Sequence, residues 1–119
     1  MTEDLALRTR ATTAGAVIEL TGDLDHHTAP QVRAALAGLG LRPGGQLVLD
    51  LEGVTFCDST GITVLIAARN HALAADATIA LAAVPERVTR IFRMVGLEQV
   101  FATHPTAQAA EAAWRPPAR

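Results

Sequence analysis

The densest chemistry in this chain lies in five consecutive residues, Cys57-Asp58-Ser59-Thr60-Gly61. A thiol, a carboxylate and two hydroxyls stand side by side there, a set that could serve nucleophilic catalysis, accept a phosphate or cap a helix. A catalytic cysteine or serine needs an activating base. Nothing near Cys57 supplies one, and a lone thiol is by default a small core side chain. A hydrolase elbow reads G-x-S-x-G, but Cys57 stands where its first glycine belongs. The four histidines, His26, His27, His71 and His104, have no metal-ligand spacing with one another or with Cys57. Asp50 ends an apolar run, as a phosphoacceptor aspartate would. That chemistry also needs an acidic pair after the first strand to hold Mg²⁺, and only Asp4, before it, is present. A phosphate-cradling loop would end in lysine, and the chain has none. The expectation is a protein that is not an enzyme, with no catalytic residues, no metal and no cofactor.

Ser59 admits two readings. In one, Asp58 or Ser59 caps the helix that follows, worth about 1 kcal/mol. In the other, the hydroxyl is phosphorylated, because the free N–H groups and dipole of a helix N-terminus favour an anion. A phosphoserine would bring about −1.5 to −2 charges beside Asp58. It would also stand opposite Asp23 and Asp25, if their loop shares the same sheet edge. Such a group would abolish docking through an uncharged surface without unfolding the protein.

Positioning this hydroxyl takes a strand before it and a helix after it. Leu47-Val48-Leu49-Asp50-Leu51 is apolar on both alternations apart from Asp50, the pattern of a strand covered on both faces. A short connection through Phe56 leads to a helix from Asp58-Ser59 to about Ala75. Counting about 100° per residue from Ile62, Leu65, Ile66, Arg69 and Leu73 form the stripe expected against the sheet, with Arg69 lying along it on its alkyl stem. Thr60, Val64, Ala67, Ala68 and His71 are then expected to face outward, nearly without charge. An alanine-rich composition accounts for that face as well as a docking surface does.

The remaining elements alternate. A weak strand over Leu5 to Arg10 precedes one over Ala16 to Thr21, which Gly22 ends. The loop Asp23-Leu24-Asp25-His26-His27 leads to a helix capped by Thr28, with Pro30 in its first turn, running to about Leu39. Thr78 to Ala82 is a strand, Pro85-Glu86 to Gly96 a helix, Val100-Phe101 a short strand and Thr106 to Trp114 a helix. The fold class expected is α/β: a mixed, largely parallel sheet of four to five strands with about four helices.

The 119 residues, half of them hydrophobic and 18% charged, suit one globular domain, ordered from about residue 5 to 114. The tail Arg115-Pro116-Pro117-Ala118-Arg119 reads as frayed. A net charge of −2, no basic stripe, and Phe56, Phe92, Phe101 and Trp114 as the only aromatics argue against nucleic-acid binding. One cysteine, an acidic Met1-Thr2-Glu3-Asp4 start and no long apolar run point to a cytoplasmic protein without membrane insertion.

Three stretches are similar to those of the STAS domain, in its anti-sigma factor antagonist form (anti-anti-sigma factors). They are Leu20-Thr21-Gly22-Asp23-Leu24-Asp25-His26-His27-Thr28-Ala29, the run from Val48 to Gly61 including Asp58-Ser59-Thr60-Gly61, and Ile91-Phe92-Arg93-Met94-Val95-Gly96-Leu97. They stand in the family's order and anchor the chain from about Leu5 to Trp114. The resemblance implies phosphorylation at Ser59, with Thr60 as a possible second acceptor. It implies an anti-sigma factor that is also a serine kinase as partner, and a metal-dependent serine phosphatase that resets the switch. Unphosphorylated, such a protein binds the kinase and frees a sigma factor. The docking surface implied comprises Asp23, Asp25, His26, Asp58, Thr60, Gly61, Val64 and Ala68. STAS-like domains also serve as non-cycling subunits of lipid-transport ATPases or stress-sensing complexes, the alternative role. The switch expectation requires Ser59 outside the core and the bland helix face turned to solvent.

Overall fold

A computed structural model describes residues 4–116; the first three residues and the last three of the tail lie outside it. The chain runs β1 (Leu5–Ala11), β2 (Gly15–Leu24), α1 (Ala29–Ala37), β3 (Gln46–Cys57), α2 (Ser59–Ala74), β4 (Thr78–Ala82), α3 (Glu86–Val95), β5 (Ala102–His104), α4 (Ala107–Ala113). The five strands form one sheet in the order β1-β2-β3-β4-β5, with β1 antiparallel to β2 and the other neighbours parallel. This is the mixed, largely parallel α/β sheet expected. Among the described residues no helix is long and apolar enough to cross a membrane.

The strand order explains where the helices lie. Each parallel step from β2 to β5 moves one place in the same direction, and right-handed crossovers that all step one way carry their helices to one face. Val32 and Leu36 of α1, Ile62, Val64 and Leu65 of α2, and Val88 and Phe92 of α3 accordingly share one core with Ile18, Leu20, Leu49, Leu51 and Leu81 of the sheet. Helix α4 returns across the other face, where Ala110 meets Val17, Val48, Ala80 and Ala82. An ion pair of 2.8 Å between Arg10 and Glu111 joins it to β1.

Strand β3 is longer than its sequence pattern. Against β2, Glu19 pairs with Asp50 and Thr21 with Gly53, then Gly22 with Val54 and Asp23 with Phe56. Each interval holds one more residue on β3 than on β2, so β3 carries two bulges. Its core-facing positions therefore step Leu47, Leu49, Leu51, Val54, Cys57 rather than alternating throughout. Strand β2 likewise continues through Gly22 to Leu24. Gly22 sits at φ +117°, where a Cβ would stand 2.3 Å from the Asp4 carbonyl, so the glycine permits close strand pairing instead of ending the strand. The last strand is Ala102–His104, not Val100-Phe101; Phe101 is buried and stacked on Phe92 at 5.5 Å.

Candidate functional site

Because β2, β3 and β4 are parallel, their carboxyl ends come to one edge of the sheet, the usual place for functional loops in such folds. The β2–α1 loop, the β3–α2 junction and the start of α3 meet there. Asp58 is the N-cap of α2: its Oδ1 accepts the Gly61 N–H at 3.0 Å and its carbonyl accepts that of Ile62 at 3.1 Å. Ser59, the first helical residue, is exposed, and its carbonyl accepts the Thr63 hydroxyl at 3.0 Å. Among the described residues its own hydroxyl has no hydrogen-bond partner. Capping thus falls to Asp58, which leaves Ser59 free of that task.

The neighbouring loop is braced by its own polar groups. Asp25 Oδ1 accepts the N–H groups of His27 and Thr28 at 2.9 and 3.1 Å, closing a turn that aims the chain into α1. Thr28 stands at the N-cap of α1 as expected but makes no side-chain cap bond. Its hydroxyl donates to the Asp23 carbonyl at 2.8 Å and accepts the Asp25 N–H at 3.1 Å instead. Asp23 accepts the Thr55 hydroxyl at 3.5 Å, and the Arg87 guanidinium donates to the Thr55 carbonyl at 2.6 Å. Three segments are thereby tied at one point. His26 is exposed, while Asp23, Asp25, Asp58 and Thr60 are partly buried.

The outward face expected of α2 is overturned, and one of the two conditions set for the switch fails with it, because that bland face turns inward. The other, Ser59 outside the core, is met. Val64 and Ala68 are fully buried and Gly61 is buried, so none of the three belongs to a surface. Gly61 decides the orientation. A Cβ there would lie 2.2 Å from the Leu24 carbonyl and 2.8 Å from Cys57 Sγ, so the first turn of α2 packs directly on the end of β2. Gly61, Leu65, Ala68 and Ala72 follow at helical spacing as the buried stripe, about 90° around the axis from the one drawn through Ile62 and Leu73. The solvent face of α2 carries Ser59, Thr63, Asn70 and Leu73, the last 48% exposed, with Ile66 partly covered beside them. Its only formal charge is Arg69, partly buried at its edge beside Leu73 and Ile66.

Two residues that sequence reasoning missed complete this edge. Phe56 is 45% exposed just before the junction, and Arg87 holds β3 from the start of α3. The bulges on β3 hid Phe56 by breaking the alternation, and only spatial proximity joins Arg87 to the edge. Burial, reinforced by Asp58, pushes the Cys57 thiol up to about 11, which keeps it protonated and a poor nucleophile at neutral pH. Among the described residues no three His, Cys, Asp or Glu side chains are grouped to hold a metal ion.

A family model described as "Mlab, STAS domain" matches residues 7–103. An anti-sigma-B factor antagonist of Listeria monocytogenes is 31% identical over 83 residues, which cover 70% of this chain and 73% of that protein. The crystal structure of an anti-sigma factor antagonist from Mycobacterium paratuberculosis superposes with a TM-score of 0.75 at 26% identity, covering 93% of this chain and 94% of the other. The Bacillus cell fate determinant SpoIIAA in its phosphorylated form shares the fold, with a TM-score of 0.71 at 23% identity over 92% and 100% of the two chains.

Proposed function

The chain belongs to the STAS domain family, and on that premise we propose that it is an anti-sigma factor antagonist whose docking is switched off by phosphorylation of Ser59. The observation that carries this reading is the exposed Ser59 hydroxyl at the first position of α2, with the capping role already filled by Asp58. The partner in this reading is an anti-sigma factor with serine kinase activity. Docking uses the uncharged line Ser59, Thr63, Ile66, Asn70 and Leu73 together with Phe56 and the Asp23 and His26 loop.

The physical chemistry of the switch is local. The helical part of this interface is desolvated at little cost, whereas a phosphate of about −1.5 to −2 charges beside Asp58 and near Asp23 must be stripped of water or left among like charges. The helix N-terminus tolerates the phosphate in the free protein, so the modification removes binding and leaves the fold intact. Binding frees a sigma factor, and a metal-dependent serine phosphatase restores the bare hydroxyl. The protein acts by occupying a partner and performs no catalysis of its own.

The test is incubation with ATP and the kinase-type anti-sigma factor, followed by intact-mass measurement of the wild type and of Ser59→Ala. One phosphate is expected on the wild type and none on the variant. A phosphate retained by Ser59→Ala would move the site to Thr60. The second reading keeps the STAS fold without a phosphate cycle, as a fixed subunit of a lipid-transport ATPase or of a stress-sensing complex. Failure of every cognate kinase to modify the wild type supports it.

A further inference from the structure

Strand β3 leaves its regular course at Thr55. Gly22 pairs with Val54 and Asp23 with Phe56, so Thr55 is the extra residue of the second bulge and faces no partner on β2. On the other side β4 pairs with β3 only as far as Asp50, so no strand runs beside this stretch there either. Two side chains hold it instead. The Arg87 guanidinium donates to the Thr55 carbonyl at 2.6 Å, and the Thr55 hydroxyl donates to Asp23 at 3.5 Å. The bond from Arg87 is short and its donor is charged, which makes it the stronger of the two.

The bulge decides which neighbour enters the core. Side chains alternate along a strand, so a regular run from the buried Val54 would turn Phe56 inward and Cys57 outward. With Thr55 as the extra residue the order is reversed: Cys57 is buried and Phe56 is 45% exposed. Hydrophobic burial alone favours the other outcome, because a phenyl ring offers far more apolar area than a thiol. The first turn of α2 fits only the arrangement seen. A Cβ on Gly61 would lie 2.8 Å from Cys57 Sγ, so the turn that carries Ser59 is seated directly on that sulfur, where a ring has no room.

We infer that Arg87 is a positioning residue: its bond to the Thr55 carbonyl holds β3 in the phase that keeps Phe56 on the surface and Cys57 beneath the turn that presents Ser59. Without the guanidinium, Thr55 enters the regular alternation, Cys57 turns outward and the first turn of α2 loses its seat. What this does to a docking partner rests on the Ser59 reading. The phase of the strand does not, and it is measured without any kinase.

Cys57 is the only cysteine, so its alkylation by iodoacetamide in the folded full chain, followed by intact-mass measurement, reads the phase directly. Arg87→Ala is expected to react about tenfold faster than the wild type, the effect of losing one such hydrogen bond, while the urea midpoint stays close to the wild-type value. Arg87→Lys keeps a cationic donor and is expected to restore most of the protection. Arg90→Ala, which removes only a pairing with Glu86 at 3.6 Å, is expected to react as the wild type does. Equal rates for Arg87→Ala and the wild type would overturn the assignment. So would a rise matched by an equal loss of global stability, a rise of the same size in Arg90→Ala, or no protection restored by lysine.

Discussion

Two small side chains fix how the Ser59 hydroxyl is presented. Asp58 satisfies the Gly61 N–H, and Gly61 lets the helix rest on the Leu24 carbonyl. Gly61→Ala would drive a methyl group into that carbonyl. It is expected to lower unfolding stability by about 1–3 kcal/mol in urea denaturation; an unchanged midpoint would show that the approach is not tight. Cys57, under the same turn, gives a pH signature. Its neutral thiol is favoured in the fold, with the ionisation pushed up to about 11, whereas an unfolded cysteine ionises near pH 8.5. The folded value lies above the unfolded one and the protonated form is neutral, so its stabilisation is complete below about pH 8.5. It is lost as pH rises toward 11. Denaturation midpoints are expected to fall across that window, by up to about 3 kcal/mol, and the fall should vanish in Cys57→Ala. The chain has no tyrosine or lysine to obscure the effect.

Helix α2 shows why a periodic count can err on such a chain. Of its sixteen residues Arg69 alone is formally charged, so apolar side chains ring the helix and give no polar face from which to orient it. Choosing the bulkiest residues as the inner stripe favoured Ile66 and Leu73. Close packing instead selected the small ones, Gly61, Ala68 and Ala72, because a helix lying directly on a strand end has no room for more. The run of small residues at helical spacing was the signal available in the sequence. The two orientations predict opposite mutant behaviour. Val64→Glu places a charge in the core and is expected to abolish folding by circular dichroism. Thr63→Glu on the solvent face is expected to leave the melting temperature nearly unchanged and weaken partner binding at least about tenfold, roughly 1.4 kcal/mol. A folded Val64→Glu that merely bound poorly would restore the rejected orientation.

Across the fold as a whole, what could be read in advance followed from punctuation and what could not followed from contacts. The strand Thr78–Ala82 coincides with its sequence pattern residue for residue, and the helix closed by Gly96 ends there because that glycine adopts a left-handed φ of +77°. The α/β class followed from strands and helices in alternation. The sequence pattern makes the second half of β3 a connection because two bulges shift its phase, and no local rule reports a bulge whose cause is the register of the strand beside it. At the carboxyl edge the Asp58-Ser59-Thr60-Gly61 motif was legible as a strand exit and helix start. Phe56 and Arg87 were not, since they join that edge only after β3 bends and α3 docks.

The central claim is that a phosphate on Ser59 removes docking through electrostatics and desolvation while the fold stays as it is. The most direct measurement is the affinity of the kinase-type anti-sigma factor for the full chain carrying phosphoserine at position 59, set against the unmodified chain. Both are titrated calorimetrically, and their melting temperatures are recorded. The account predicts binding weakened by about a hundredfold or more, roughly 2.7 kcal/mol, with melting temperatures that agree within a few degrees. Equal affinity of the two forms, or lost affinity accompanied by an unfolded phosphoprotein, would contradict it.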